Sequence, residues 1–255
     1  MNINTRHIII GDVHGCNREL QALINQLKLS IHDNLYFIGD LIDKGPDSIG
    51  VIQTVYKLSR KYKVKLILGN HEEKFLRFLK NKESNVNALQ AMKNTEEFEQ
   101  LDNLASKDEI DMLKNAYFYY KLPEHNYLLV HAGLPNDISL SLTDFPKYGK
   151  HFEKPFKKLR LLTMTRNLNK LGKFLSLGEE SEGKYFWAEK YDGKYGTIVY
   201  GHEAYIGEGI KKYNNAIGID TGCVYGGALT ALVIEGVNEI YHLSQPSSNK
   251  KETYE

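Results

Sequence analysis

At 255 residues with 42% hydrophobic side chains, the chain is near the upper size for a single core and has the apolar content to bury one. A net charge of +1 argues against a dedicated nucleic-acid or membrane-surface protein, so neither a stable nucleic-acid partner nor a membrane is expected. Two cysteines are too few for a disulfide scaffold, and no apolar stretch approaches the ~20 residues of a membrane span.

In chain order, MNINTRHIII enters a strand directly, without the apolar core and cleavage site of a signal peptide, so a cytoplasmic location is expected. A helix follows from about Asn17 to Lys28, with Leu20, Leu23, Ile24 and Leu27 as its apolar stripe and Asn17 as its cap. After NLYFIG, a second helix runs from Ser48 to about Lys61 on Ile49, Ile52, Val55, Tyr56 and Leu58, and VKLIL forms a third strand. This βαβαβ opening implies a parallel sheet with helices on its faces. From about 73 to 120 the pattern is helical, a cap whose stretch 83–111 is acid-rich. The second half has shorter strands, a basic insert at about 147–176 read as helical from 152, and a final meander through ALTALVI and VNEIYHL. A single domain over 1–244 with a flexible tail at 245–255 is expected.

Six apolar runs stop at a metal-ligand type of side chain: HIIIGD at Asp12, NLYFIGD at Asp40, VKLILGN at Asn70, NYLLVH at His131, GTIVYGH at His202 and NAIGID at Asp220. Buried strands hold their ends rigidly, and oxygen with imidazole donors suits a hard or borderline divalent ion, with Mn²⁺ first and Fe or Zn²⁺ as alternatives. Asp220 is open to a second reading, a glycine-rich turn that only holds the last strands. His7, His32, His125, His151 and His242 lie outside any motif and read as ordinary core or surface residues.

The loops after these strands read GDVHG at 11–15, GDLIDKG at 39–45, GNHE at 69–72, His131 before AGL, and GH at 201–202. In this order they resemble the calcineurin-like metallophosphoesterases, in the phosphoprotein-phosphatase branch. WAEKYDGKYGTIVYGH and IDTGCVYGGALTAL are similar to its bacterial members, the phage-type phosphatases and symmetrical diadenosine tetraphosphate hydrolases. The resemblance implies an α/β fold of two mixed β-sheets packed as a sandwich with flanking helices.

It also implies two divalent ions, one held by Asp12 and His14, the second by Asn70, His131 and His202, with Asp40 between them. A hydroxide shared by such a pair attacks phosphorus in line. His71, oriented by Asp43, would be the general acid. Lys44 stands where relatives usually carry arginine, which keeps a charge for phosphate but loses the planar two-pronged pairing. The other clamp arginine, expected two residues after a tryptophan, is missing: Trp187 is followed by Ala188 and Glu189. Arg166 is the candidate to replace it, with Arg160 and Lys190 behind. GHEA in place of GHTP puts Glu203 close to the metals.

The main functional expectation is a phosphomonoesterase resembling Ser/Thr protein phosphatases, acting on a phosphorylated protein. The alternatives are a symmetrical dinucleoside tetraphosphate hydrolase with a nucleotide substrate, and a non-catalytic phospho-ligand-binding protein. The oligomeric state is left open.

Overall fold

The computed structural model describes residues 5–93, 95–122, 125–150, 157–236 and 239–248. His151, Lys154 and the part of the expected tail beyond 248 lie outside them. The chain opens with β1 (Arg6–Ile10), α1 (Asn17–Leu27), β2 (Asn34–Phe37), α2 (Ser48–Lys61) and β3 (Lys63–Leu66). The cap helices are α3 (Asn70–Ser84), α4 (Val86–Gln90), α5 (Glu96–Leu104) and α6 (Lys107–Lys114). Strands β4 (Tyr119–Lys121), β5 (Tyr127–Val130), β6 (Asn167–Leu168), β7 (Tyr185–Phe186), β8 (Thr197–Tyr200), β9 (Lys211–Lys212), β10 (Ala216–Gly218), β11 (Ala228–Glu235) and β12 (Glu239–Pro246) complete it.

Two five-stranded mixed sheets form the sandwich, in the orders β12-β11-β1-β2-β3 and β4-β5-β8-β10-β9. In the first, β1, β2 and β3 are parallel, with Ile9 opposite Tyr36 and Tyr36 opposite Lys65. In the second, β5, β8 and β10 are parallel. Alternation along the strands divides the core. Ile9, Tyr36, Leu129, Val199 and Leu232 point between the sheets. Ile8, Ile10, Leu35 and Phe37 point outward, into the layer that includes Leu20, Leu23, Val51 and Val55 of the helices. Strands buried on both faces read as unbroken apolar runs, which is why HIIIG and NLYFIG look as they do. The parallel strands all deliver their C-terminal ends to one edge.

Four sequence expectations need correction. The residue capping α1 is Cys16, not Asn17, because the Asn17 side chain is drawn across to α2, donating to Asp47 at 2.8 Å and accepting from Thr54 at 2.9 Å. The span expected to stay helical to Tyr120 already contains the start of β4 at Tyr119. The basic insert is not an α-helix: its described part holds 3₁₀ turns at Tyr148–Lys150 and Leu159–Thr163 and strand β6, which pairs with β7 beyond it. Gly172 takes positive φ within it, and Gly178 and Gly183 do so just beyond, a conformation that breaks helical repetition. Finally, Gln245 and Pro246 are not tail but the end of β12, paired with Leu229 and Ala228. No helix among the described residues is long and apolar enough to cross a membrane.

Candidate metal centre

Each strand end turns sharply to present its side chain, and the backbone shows the cost. Of the non-glycine residues with positive φ, His14 (44°), Asp40 (48°), Asp43 (71°), Lys44 (71°) and His202 (68°) all belong to the motif loops. Such conformations are held only where surrounding contacts dictate them, and they cluster at functional sites. Glycines make the approach possible. A Cβ on Gly39 (φ 101°) would lie 2.6 Å from the Gly69 nitrogen, and one on Gly201 would lie 2.0 Å from Asp12 Oδ1.

Asp40 is the hub of the cluster. Its Oδ2 lies 3.3 Å from His131 Nε2, 3.5 Å from His14 Nε2 and 3.8 Å from His71 Nε2. Asn70 Oδ1 sits 3.1 Å from His131 Nε2. Donor atoms of Asp40, His131 and His202 lie within 4.8 Å of one another, as do those of His14, Asp40 and His71. Asp12 joins through Oδ2, which accepts from the His202 backbone nitrogen at 2.9 Å. The ring orientations carry information. His14 Nδ1 faces the Ile42 carbonyl at 3.0 Å and His131 Nδ1 faces the Ile38 carbonyl at 2.8 Å. Each must therefore donate from Nδ1, which turns Nε2 toward Asp40 as the atom that would meet a cation.

Among the protein groups alone, the charges are in conflict. Burial raises the Asp12 carboxyl well above its usual range, and neighbouring Asp220 adds to the rise. Burial also works against an ionised Asp40, yet His131, His71 and His14 outweigh it and hold the carboxyl well below the usual range. His131 is pushed up to about 9, against the pull of burial, mainly by Asp40. His14 falls to about 3 and His202 well below the usual value, both chiefly through burial. Asp220 is buried beside this cluster, where burial lifts its carboxyl to about 6, and its Oδ1 accepts from the Gly222 nitrogen at 2.9 Å. That bond belongs to the turn-holding reading, while its position belongs to the site.

His71 and Asp43 form the expected pair, with Nδ1 to Oδ2 at 2.6 Å. Burial disfavours the imidazolium, but Asp40 and Asp43 together raise His71 above its ordinary value. Two residues that sequence reasoning passed over support this machinery. Glu72, 2% exposed, accepts from the backbone nitrogens of Asp40 (2.8 Å), Leu41 (2.7 Å), Ile42 (3.3 Å) and Gly69 (3.1 Å), pinning the strained Asp40 loop to the start of α3. Its place three residues into the helix, behind Gly69, is a capping position visible in GNHE. Glu97 reaches in from α5, accepting from the Ser48 hydroxyl and from the Asp43 nitrogen at 3.2 Å. No local pattern marks it, because the contact joins residues far apart in sequence.

The calcineurin-like phosphoesterase profile matches residues 5–218. The chain belongs to the calcineurin-like phosphoesterase family. It is therefore a metal-dependent phosphoric-ester hydrolase of metallophosphoesterase architecture. A bis(5'-nucleosyl)-tetraphosphatase PrpE [asymmetrical] from Oceanobacillus iheyensis is 34% identical over 88% of this chain and 86% of its own length. A crystal structure of a candidate diadenosine tetraphosphatase is 29% identical, with a TM-score of 0.67 over 98% of this chain and 96% of the other. A protein serine/threonine phosphatase from Saccharomyces cerevisiae, 17% identical, matches with a TM-score of 0.64 over 98% of this chain and 82% of its own; this likeness is one of fold alone.

The residues of this phosphoesterase fit divalent cations on their own evidence. Asp12 Oδ1 and His202 Nε2 are buried with no hydrogen-bond partner among the described residues, in a protein whose buried polar atoms are otherwise mostly satisfied. The mixed carboxylate, amide and imidazole set to which they belong is one that such ions accept. The two departures from the family pattern also acquire geometry. Lys44 Nζ lies 3.2 Å from His14 Nε2 and 5.3 Å from the centre of the Tyr225 ring. Arg166 comes to the site through Nη2 on the His202 carbonyl at 3.0 Å, while its Nε pairs with Glu203 at 2.6 Å. Glu203 is thus directed to Arg166. Behind it, Arg160 is paired with Glu73 at 3.2 Å and Lys190 covers the Tyr185 ring. Trp187 is buried, wedged against the glycine of HAGL: a Cβ on Gly133 would lie 2.5 Å from its ring.

Proposed function

We propose that this chain hydrolyses dinucleoside tetraphosphates asymmetrically, with two divalent cations held by Asp12, His14, Asp40, Asn70, His131 and His202, manganese first among them. The observation carrying the substrate class is the run of relatives, such as that of Oceanobacillus iheyensis, that bear an asymmetrical tetraphosphatase name across most of this chain. The nucleotide alternative of the sequence analysis is therefore favoured over the phosphoprotein reading, which rests on family likeness alone. The relatives' qualifier favours asymmetrical cleavage over the symmetrical kind.

Cations at this site would lower the pKa of a solvent molecule and neutralise charge on the phosphoryl oxygens. Around them the chain's own groups divide the remaining work. Glu72 fixes the loop that carries Asp40, so its carboxylate meets three imidazoles without reorganising at the moment of reaction. His71, whose hold on its proton Asp40 and Asp43 strengthen, would give that proton to the departing oxygen. Lys44, beside His14, and Arg166, beside His202, would hold the phosphate chain. Arg166 is tied by Nε to Glu203, which fixes the plane of the guanidinium.

The experiment is product analysis. Purified protein with Mn²⁺ is given diadenosine tetraphosphate, a phosphoserine peptide and p-nitrophenyl phosphate in parallel, and nucleotides are separated by anion exchange. Equal amounts of AMP and ATP, formed faster than phosphate is released from the peptide, are expected. Two ADP per dinucleotide would restore the symmetrical reading. Turnover of the peptide without the dinucleotide would restore the phosphoprotein one.

A further inference from the structure

We propose that Cys16, Glu19 and Cys223 form a second cation site, separate from the strand-end cluster, that takes a thiophilic divalent ion such as Zn²⁺. The ligand atoms of these three residues lie within 4.8 Å of one another, and the residues are 0%, 4% and 1% exposed. They converge from distant parts of the chain. Cys16 caps α1 and Glu19 stands one turn on, while Cys223 opens the 3₁₀ turn Cys223–Tyr225 after Gly222. Ser248, just past β12, fixes the carboxylate by donating to Glu19 Oε1 from its backbone nitrogen at 2.8 Å and from its hydroxyl.

Two buried thiols alone would be ordinary core, since cysteine behaves as a small apolar side chain. The buried carboxylate beside them changes the reading. An acidic group in the first turn is favoured by the helix dipole, but enclosing it costs solvation that a neighbouring cation recovers. Zinc takes sulfur at ~2.3 Å and carboxylate oxygen at ~2.0 to 2.2 Å in a tetrahedron, so its donors sit under about 4 Å apart, within reach of this arrangement. Binding replaces two S–H bonds with two metal–sulfur bonds and releases two protons to solvent. Sulfur donors select a softer ion than the oxygen and nitrogen donors of the strand ends, so the two centres sort different metals. The ion would tie together the start of α1, the turn after β10 and the end of β12, beginning two residues from His14.

Sulfur makes the test specific. Mn²⁺-loaded protein, kept reduced with a phosphine, is titrated with Cd²⁺ while the near-ultraviolet thiolate-to-metal charge-transfer band is recorded. A band saturating at one equivalent is expected in the wild type and equally in Asn70→Ala, because the strand-end donors contain no sulfur; the outcome is thereby independent of the hydrolytic reading. Cys223→Ser should abolish the band. Glu19→Gln, which keeps both thiols and guards against a misfolded cysteine variant, should weaken Cd²⁺ binding at least ten-fold. A folded wild type without the band, a Glu19→Gln titration identical to wild type, or Cys16 and Cys223 found joined in a disulfide would each overturn the proposal.

Discussion

Glu72→Gln tests how the site is held in place. The carboxylate serves four backbone amides, Oε2 taking Asp40 and Gly69, Oε1 taking Leu41 and Ile42. An amide of the same shape keeps one oxygen, so two buried N–H groups would face another donor. Leaving a buried donor unmet costs ~1 to 3 kcal/mol, giving about 2 to 6 kcal/mol for the pair. Relief of the repulsion between Glu72 and Asp40 offsets part of this, so the lower half of the range is expected. That is survivable against the ~5 to 15 kcal/mol stability of a typical domain. The effect on function should be larger than the effect on fold, because the amides released carry Asp40 in its strained φ of 48°. Loss of such a support typically lowers metal affinity by ~10- to 100-fold. Urea unfolding followed by circular dichroism, with Mn²⁺ titration of activity on the same protein, measures both. Wild-type stability together with an unshifted Mn²⁺ dependence would refute the argument.

Other outcomes follow from the same geometry. Replacing His71 with asparagine should slow phosphoserine peptide far more than p-nitrophenyl phosphate or a dinucleotide, because phenolate and phosphate leaving groups need little protonation; equal losses on all three would remove the acid role. Arg166→Ala should raise KM for the dinucleotide more than it lowers kcat, and a kcat-only effect in steady-state kinetics would argue that Arg166 serves the loop rather than the substrate. His7, 7% exposed at the far end of β1, is lowered to about 4 by burial and by the nearby His125 and Lys65. With the folded pKa below the unfolded value, the unfolded state binds the extra proton, so stability is lost as pH falls from about 6.5 toward 4. The loss between pH 7.5 and 5 should be about 2 kcal/mol. In His7→Gln the urea midpoint should vary correspondingly less over that interval, and an unchanged pH dependence would contradict the assignment.

Much of the site was legible because its donors follow strands. Asp12, Asp40, Asn70, His131 and His202 each end a run whose apolar content is dictated by burial on both faces, so the strand assignment fixed where the side chain would emerge. The helices α1 and α2 were legible for a related reason, a single stripe packed on one sheet. What the sequence concealed depends on contacts between remote segments. Glu97 meets Asp43 only because α5 folds back over the loop, and Glu203 meets Arg166 only once the segment after β8 reaches the one before β6. The basic segment misled because its charge suggested a solvated helix, while Gly172 within it, and Gly178 and Gly183 just beyond, favoured turns. Asn17 misled as a cap because its preferred partner lay on another helix.

The central claim is that donors scattered between Asp12 and His202 enclose a pair of divalent cations. Anomalous diffraction from crystals grown with Mn²⁺ tests it most directly. Two peaks are expected, flanking the Asp40 carboxylate, one on the side of Asp12 and His14 and the other on the side of Asn70, His131 and His202. Peaks elsewhere, or none at saturating Mn²⁺, would contradict the account.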